Sequence, residues 1–105
     1  MAKYLYVYHG GGDMPKTDAA KAKEMDAWGK WMGGMGSALV DGGHPVGKSS
    51  TVNSDGSVSD HGGSNPASGY TLVEAATLKD ALAHAKGCPI LASGGSIEVA
   101  EAIDM

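Results

Sequence analysis

The sequence predicts one α+β domain over residues 1–105, with a ferredoxin-like β-α-β-β-α-β order and a hairpin inserted between the second and third strands. Three observations support this fold class: a strand-like run at the start, two stretches of helical periodicity, and alternating segments on both sides of the second helical stretch. Right-handed crossovers then place both helices on one face of a four-stranded antiparallel sheet.

The first strand is predicted over residues 3–9, which are rich in aromatic and β-branched side chains. Tyr4, Tyr6 and Tyr8 alternate on one face, and Leu5 and Val7 lie on the other. Neither face has the polar character of a solvated one. Because helices cover only one side of the sheet, the other side is expected to meet the sheet of a second subunit in a homodimer.

A glycine-rich connector over residues 9–15 leads to the first helix. This helix is expected to begin near Thr17 or Asp18 and to end at about Met35. Its predicted apolar stripe contains Met25, Trp28, Met32 and Met35, with Trp31 at the margin. Glycines weaken its second half by up to about 1 kcal/mol each relative to alanine, so tertiary packing must hold it.

A short strand over residues 37–40 ends in a turn over residues 41–45, which is expected to place Asp41 beside His44. Residues 49–52 and 57–60 then flank an Asn-Ser-Asp-Gly sequence, which indicates a hairpin with Asp-Gly at its tip. A polar glycine loop over residues 60–66 precedes the third strand.

The strongest signal lies over residues 69–89, where strand alternation changes to helical periodicity. Thr77 is the predicted N-cap of the second helix, whose apolar stripe contains Leu78, Ala81, Leu82 and Ala85. Gly87 is expected to close this helix in a left-handed conformation, and Pro89 prevents its continuation. Residues 96–100 form the last predicted strand.

Composition excludes several classes of function. A net charge of -4 and scattered lysines do not provide the basic face that nucleic acid requires. No apolar run approaches the roughly 20 residues of a membrane span, so we expect a soluble cytoplasmic protein. The single Cys88 excludes an internal disulfide, and no nucleotide or cofactor fingerprint is present, so no cofactor is predicted.

Chemistry is expected from imidazoles beside carboxylates, because such a pair transfers protons near neutral pH. The predicted catalytic residues are His44 and His61, oriented by Asp41 and Asp60. The predicted ligand-binding residues are His9, Trp28 and Tyr6. We assign no metal, although His9, His44, His61 and a carboxylate have suitable groups for Zn²⁺, because their separations match no known ligand spacing. The alternatives are solvated surface histidines, His84 among them, and core packing for the tryptophans and methionines.

Two classes of function therefore stay open. The first is a small-molecule protein with a cleft between the first helix and the sheet, with lyase-like or isomerase-like chemistry through an Asp/His pair. The second is a non-catalytic dimeric module for binding or regulation. Convergence of His9, His44 and His61 in one concave pocket distinguishes them.

The order of several segments resembles the YCII-related family, including its DGPF branch. These segments are the opening Lys-Tyr-Leu-Tyr-Val-Tyr, the helix with Trp28 that leads into Gly-Ser-Ala-Leu-Val-Asp-Gly-Gly, the Asp60 loop, Gly-Tyr-Thr-Leu-Val-Glu-Ala, the helix with Ala81 followed by Gly-Cys-Pro, and the closing Gly-Ser-Ile-Glu-Val. The resemblance covers nearly the whole chain and implies a dimeric α/β barrel of two ferredoxin-like subunits. It does not imply an activity.

The chain departs from that family pattern at two places. Asp60 is followed by His-Gly-Gly where the DGPF branch has Gly-Pro-Phe. A histidine that some members carry on the first helix corresponds in register to Met25, with Asp26 beside it, and neither side chain replaces an imidazole base. The family's proposed catalytic residue is therefore not carried over to this chain.

Overall fold

A computed structural model of the chain describes residues 1–11 and 17–104, so most of the predicted connector lies outside the described residues. The strands and helices are β1 (Ala2–His9), α1 (Asp18–Met35), β2 (Leu39–Asp41), β3 (Thr51–Val52), β4 (Val58–Ser59), β5 (Ala67–Ala75), α2 (Leu78–Ala85) and β6 (Ser96–Ala102). Short 3-10 turns cover Gly36–Ala38 and Pro89–Leu91.

The strands form a four-stranded antiparallel sheet in the order β2-β5-β1-β6, and β3 pairs with β4 in a separate hairpin. This confirms the predicted α+β class, with two helices in the described part of the chain. The strand order is compatible with the ferredoxin-like plan. Neither described helix is long and apolar enough to cross a membrane.

Side-chain caps fix the start of both helices. The Thr17 hydroxyl oxygen accepts the Ala20 amide at 3.1 Å, and the Thr77 hydroxyl oxygen accepts the Asp80 amide at 3.2 Å. The predicted left-handed cap at Gly87 is wrong, because α2 ends at Ala85 with Lys86 as its C-cap, and Gly87 has no positive φ. A Cβ at position 87 would instead lie 3.3 Å from a ring carbon of Trp31, so glycine lets the two helices approach closely.

The tyrosine face of β1 lies under the helices. Tyr6 is fully buried, stacks on Trp31 with 6.2 Å between ring centroids, and donates its hydroxyl hydrogen bond to the Ala81 carbonyl of α2. Tyr8 meets Trp28 edge to face at 5.2 Å. The core is therefore built on aromatic contacts between β1 and both helices.

The predicted helix stripes are partly wrong. Met25 is 75% exposed, because α1 contacts the core only from Trp28 onward. In α2 the alanines of the stripe are buried, whereas Leu78 and Leu82 remain 49% and 42% exposed. Alanine side chains bring the α2 backbone close to the sheet, and the leucines then lie at the margin of the contact.

A buried hydrogen-bond relay joins the core to the β2 edge. The Tyr8 hydroxyl donates to Thr71 Oγ1 at 2.6 Å, and the Thr71 hydroxyl donates to the Gly42 carbonyl at 2.9 Å. The chain after β2 then continues along β5, where the Tyr70 amide donates to the His44 carbonyl at 3.2 Å. Gly43 has a φ of 69°, and any Cβ there would overlap the Tyr70 carbonyl.

The molecule is a thin slab with principal extents of 43 × 42 × 19 Å. Its radius of gyration is 15.0 Å, compared with about 13 Å for a compact chain of this length. Its accessible surface is 7074 Å², compared with about 5,500 Å² for an average folded monomer of 10.6 kDa. The chain thus exposes more surface than a self-contained domain of its size.

Candidate functional site

The candidate site is the face of the sheet that the helices leave uncovered, which we call the open face. Alternation opposite to the buried tyrosines places Leu5 and Val7 of β1 on it. The strand registers add Leu72, which is opposite Leu5 on β5, and Ala100, which is opposite Leu5 on β6. Three of these residues form an apolar stripe across β5, β1 and β6: Leu72, Leu5 and Ala100. On β2 the residue paired with Leu72 is Asp41, and a register shift leaves Val40 between the paired residues.

Polar groups border the stripe on both sides. Lys3 lies opposite Glu74 toward one end of the sheet. Toward the other end, Val7 lies between Tyr70 on β5 and Glu98 on β6. An apolar centre with a polar border is the arrangement found in protein interfaces.

His9 is the histidine that the fold places most firmly. It is 9% exposed, and its Nδ1 lies 2.9 Å from the Asn65 carbonyl and 3.2 Å from the Pro66 carbonyl. Its Nε2 lies 3.1 Å from Glu98 Oε1. Because carbonyl oxygens only accept, Nδ1 carries a proton and donates to the loop. His9 therefore ties the loop to the sheet and presents its other nitrogen to Glu98.

The predicted Asp41 and His44 pair does not form in the structure. Asp41 Oδ1 accepts the Gly43 amide at 2.9 Å, which closes a local turn. The His44 ring instead lies 6.2 Å from the Tyr70 ring, at an angle of 66°. His44 is thus placed beside Tyr70 and not beside the expected carboxylate.

The predicted Asp60 and His61 pair is also not formed. Asp60 Oδ2 binds Lys48 Nζ at 3.0 Å, and His61 Nδ1 accepts the Gly63 amide at 3.0 Å. Both side chains stabilise the local turn at the base of the hairpin. Within residues 1–11 and 17–104, the histidine that contacts a carboxylate is His9, and that carboxylate belongs to Glu98.

The histidines do not gather into a metal site. Among the described residues no group of three or more His, Cys, Asp or Glu side chains is arranged to hold a metal ion. The alternative with zinc bound by His9, His44 and His61 therefore has no supporting geometry in this part of the chain.

The region predicted as a cleft, between α1 and the sheet, is filled by aromatic side chains. Tyr6 has no exposed surface, and Trp28 packs on both Tyr8 and Trp31. The two clearest cavities of the described residues lie on α2. One, of about 620 Å³, includes Glu74, Asp80 and His84. The other, of about 560 Å³, lies between α2 and β6 and is mainly apolar.

The buried phenol and thiol groups in the core are unreactive at neutral pH. Burial raises the pKa of the Tyr6 hydroxyl to about 12 and that of the Cys88 thiol to about 11. Burial also raises the pKa of Tyr8 far above its ordinary value. At neutral pH none of these groups supplies a nucleophile or a base.

Sequence reasoning missed Glu98, because the partner of His9 lies 89 residues away and only the register of β1 with β6 joins them. It also placed His84 on a solvated surface, whereas this residue is half-buried and lines the cavity near Asp80. The acidic residues of α2 and β5 carry no local motif that could have indicated that cavity.

Comparisons with known proteins give no relative on which an assignment could rest. No protein-family model matches the chain, and no curated protein matches it significantly.

Proposed function

We propose that the protein is a homodimeric, non-catalytic binding or regulatory module in which the open faces of two sheets pack together. The observation that carries this proposal is the apolar stripe across β5, β1 and β6. It lies opposite the helices, and Leu5 at its centre is 36% exposed in the single chain. The YCII-related dimeric α/β barrel that the sequence resembles is the arrangement we propose.

Burial of the stripe supplies a driving force for association. Two facing stripes bury six apolar side chains, four of them leucines, and each fully buried Leu contributes about 1.5–3 kcal/mol. The border of Lys3, Glu74 and Glu98 remains near solvent and fixes the register of the two sheets. The thin shape and the excess surface agree with a subunit that completes its core by dimerising.

The hypothesis of catalysis by an Asp/His pair has less support, because Asp41 and Asp60 bind other groups, the Gly43 amide and the Lys48 ammonium. The aromatic packing of Trp28 and Tyr6 also fills the place expected for a cleft. Self-association accounts for the surface that this packing leaves exposed.

The test is sedimentation of the wild type and of Val7→Lys. Val7 lies on the open face opposite Glu98, so a lysine there gains a cross-strand carboxylate in the monomer and leaves it folded. In the dimer, two valines are lost from the interface and two ammonium groups are desolvated. We expect the dissociation constant to rise about 1,000-fold or more, equivalent to about 4 kcal/mol.

Two control variants separate the interface from the fold. Ala22→Lys places the same charge on the exposed surface of α1 and should leave the dimer intact. Tyr6→Lys places it in the core and should unfold the chain. A wild type that stays monomeric at tens of micromolar, or a Val7→Lys variant that dimerises as the wild type does, contradicts the proposal.

A second candidate function is binding of a small polar molecule beside His9 and Glu98. This pair is favoured by one observation, the 3.1 Å contact between the His9 Nε2 and the Glu98 carboxylate. The pair borders the open face, where Tyr70 and His44 also lie. An imidazole held by carbonyls at Nδ1 and beside a carboxylate at Nε2 has the groups that proton transfer requires.

A further inference from the structure

The hairpin between β2 and β5 is a separate structural unit, which we call the arm (residues 49–61). Its strands β3 and β4 pair with each other and with no other strand of the described chain. Val52 and Val58 lie opposite each other and are 73% and 67% exposed. An isolated two-stranded hairpin is marginal in water, so an exposed valine pair on it indicates a contact surface.

The tip of the arm is preorganised by its own hydrogen bonds. Asn53 Nδ2 donates to Ser57 Oγ at 3.1 Å and to Ser59 Oγ at 3.0 Å. Asp55 Oδ1 accepts from the Ser57 amide at 2.9 Å and from its hydroxyl at 2.6 Å. Gly56 supplies the positive φ of 89° that the turn needs. Such a tip loses little conformational entropy on binding.

The two ends of the arm are fixed to each other. The Thr51 hydroxyl donates to the His61 carbonyl at 2.6 Å, and Lys48 binds Asp60 at 3.0 Å. A Cβ on Gly62 would lie 2.7 Å from the Ser49 Cβ and 2.8 Å from the Pro66 Cβ, so the two ends of the arm are tightly packed.

An apolar groove lies on the opposite edge of the sheet, between α2 and β6. Its volume is about 560 Å³. Five apolar side chains of its wall are Leu78, Leu82, Leu91, Ile97 and Val99. Lys79 and Lys86 also line it. This groove explains why half of the predicted α2 stripe remains exposed.

We propose that the arm of one subunit docks in the α2/β6 groove of its partner. The inference rests on the proposed dimer and names a second contact within it. The arm leaves the sheet at the β2 edge, about 14 Å or three strand spacings from the β6 edge that carries the groove of the same chain. A twofold axis between open faces lets each arm reach the other subunit, and the exchange closes on itself.

Charge favours this occupant. The Ser57 hydrogen bond lowers the pKa of Asp55 and keeps the tip negatively charged, which complements Lys79 and Lys86 in a protein of net charge -4.

The experiment is disulfide trapping between two single variants, Val58→Cys and Leu82→Cys, mixed at low concentration and then concentrated under oxidising conditions. Cysteine pairs bridge only when their Cβ atoms come within about 4.5 Å. The native Cys88 is buried and does not compete. We expect a mixed dimer of the two variants, identified by mass. Lys23→Cys, on the exposed surface of α1, replaces Leu82→Cys in the control and should give none.

A second measurement does not depend on disulfide geometry. The double variant Val52→Ser/Val58→Ser removes the apolar pair from an exposed hairpin and leaves the turn residues intact. We expect its dimer dissociation constant to rise about 100-fold or more, because four valines leave the two grooves of each dimer. The double variant Lys79→Glu/Lys86→Glu should raise the dimer dissociation constant more at low salt than at high salt, because salt screens the interaction between charges.

The outcomes separate this inference from the proposed dimer. A wild-type dimer that yields no mixed disulfide, or that keeps its dissociation constant in the double serine variant, overturns arm docking and leaves the open-face interface standing. Equal trapping by the Lys23→Cys control also overturns it. A monomeric wild type refutes both proposals together.

Discussion

Replacing Thr71 with valine tests the relay that holds the β2 edge in place. Thr71 has no exposed surface. It accepts a hydrogen bond from the Tyr8 hydroxyl at 2.6 Å and donates one to the Gly42 carbonyl at 2.9 Å. Valine has nearly the same shape as threonine but neither accepts nor donates a hydrogen bond through its side chain. The substitution therefore removes two hydrogen bonds without creating a cavity.

The cost follows from the burial of each group. The Tyr8 side chain is 4% exposed, and loss of its acceptor costs about 1–3 kcal/mol for an unsatisfied buried hydroxyl. Gly42 is half-buried, so water replaces part of the bond to its carbonyl, and the loss there is below about 1 kcal/mol. The free energy of unfolding should fall by about 1–4 kcal/mol, a large share of the typical 5–15 kcal/mol.

The assay is urea unfolding at one protein concentration, since the proposed dimerisation would make apparent stability depend on concentration. Tyr8→Phe and the double variant Tyr8→Phe/Thr71→Val complete a double-mutant cycle. We expect the double variant to be about 1 kcal/mol more stable than Thr71→Val alone, because phenylalanine leaves no hydroxyl to satisfy. Hydrogen exchange should accelerate at the Tyr70 amide, which donates a hydrogen bond to the His44 carbonyl in the segment that follows β2.

The relay argument fails if Thr71→Val changes the free energy of unfolding by less than about 0.5 kcal/mol, the range of ordinary surface substitutions. It fails equally if the effects of Tyr8→Phe and Thr71→Val simply add. In either case the β2 edge is held by backbone pairing alone.

Two further predictions concern the helix and the second candidate site. Gly33→Ala and Gly34→Ala should each raise the free energy of unfolding by about 0.5–1 kcal/mol in urea melts, because an added Cβ meets nothing within 4 Å. Gly36→Ala should lower the free energy of unfolding, because Gly36 has a φ of 56° that alanine adopts with strain. A more stable Gly36→Ala variant would contradict this backbone argument. For the second function, a thermal-shift screen of small polar metabolites should give ligands whose stabilisation is lost in both His9→Gln and Glu98→Gln and kept in His61→Gln. Ligands that stabilise all three variants alike would remove His9 and Glu98 from consideration.

Local chemistry in the sequence determined where most of the secondary structure lies. The strand predicted over residues 37–40 is wrong in its first half, because a 3-10 turn covers Gly36–Ala38 and β2 begins at Leu39. The helix starts at Thr17 and Thr77 and the hairpin turn at Asn53 to Gly56 were predictable, because each depends on hydrogen bonds between residues two to six positions apart. The α+β class followed from the change of periodicity between the β5 and α2 segments. Such signals are complete within a short stretch of chain.

Tertiary packing alone decided which face of β1 is buried and which groups meet at the candidate site. Both faces of that strand are apolar or aromatic, so alternation could not distinguish Tyr6 from Val7; the aromatic contact of Tyr6 with Trp31 and its bond to the Ala81 carbonyl settle it. His9 meets Glu98 across 89 residues only because the β1 and β6 registers align. Asp41 and Asp60 are neighbours of histidines in sequence, yet nearer backbone amides and Lys48 satisfy them first. A carboxylate takes the partners that the folded chain brings within hydrogen-bond distance, and sequence adjacency does not fix that distance.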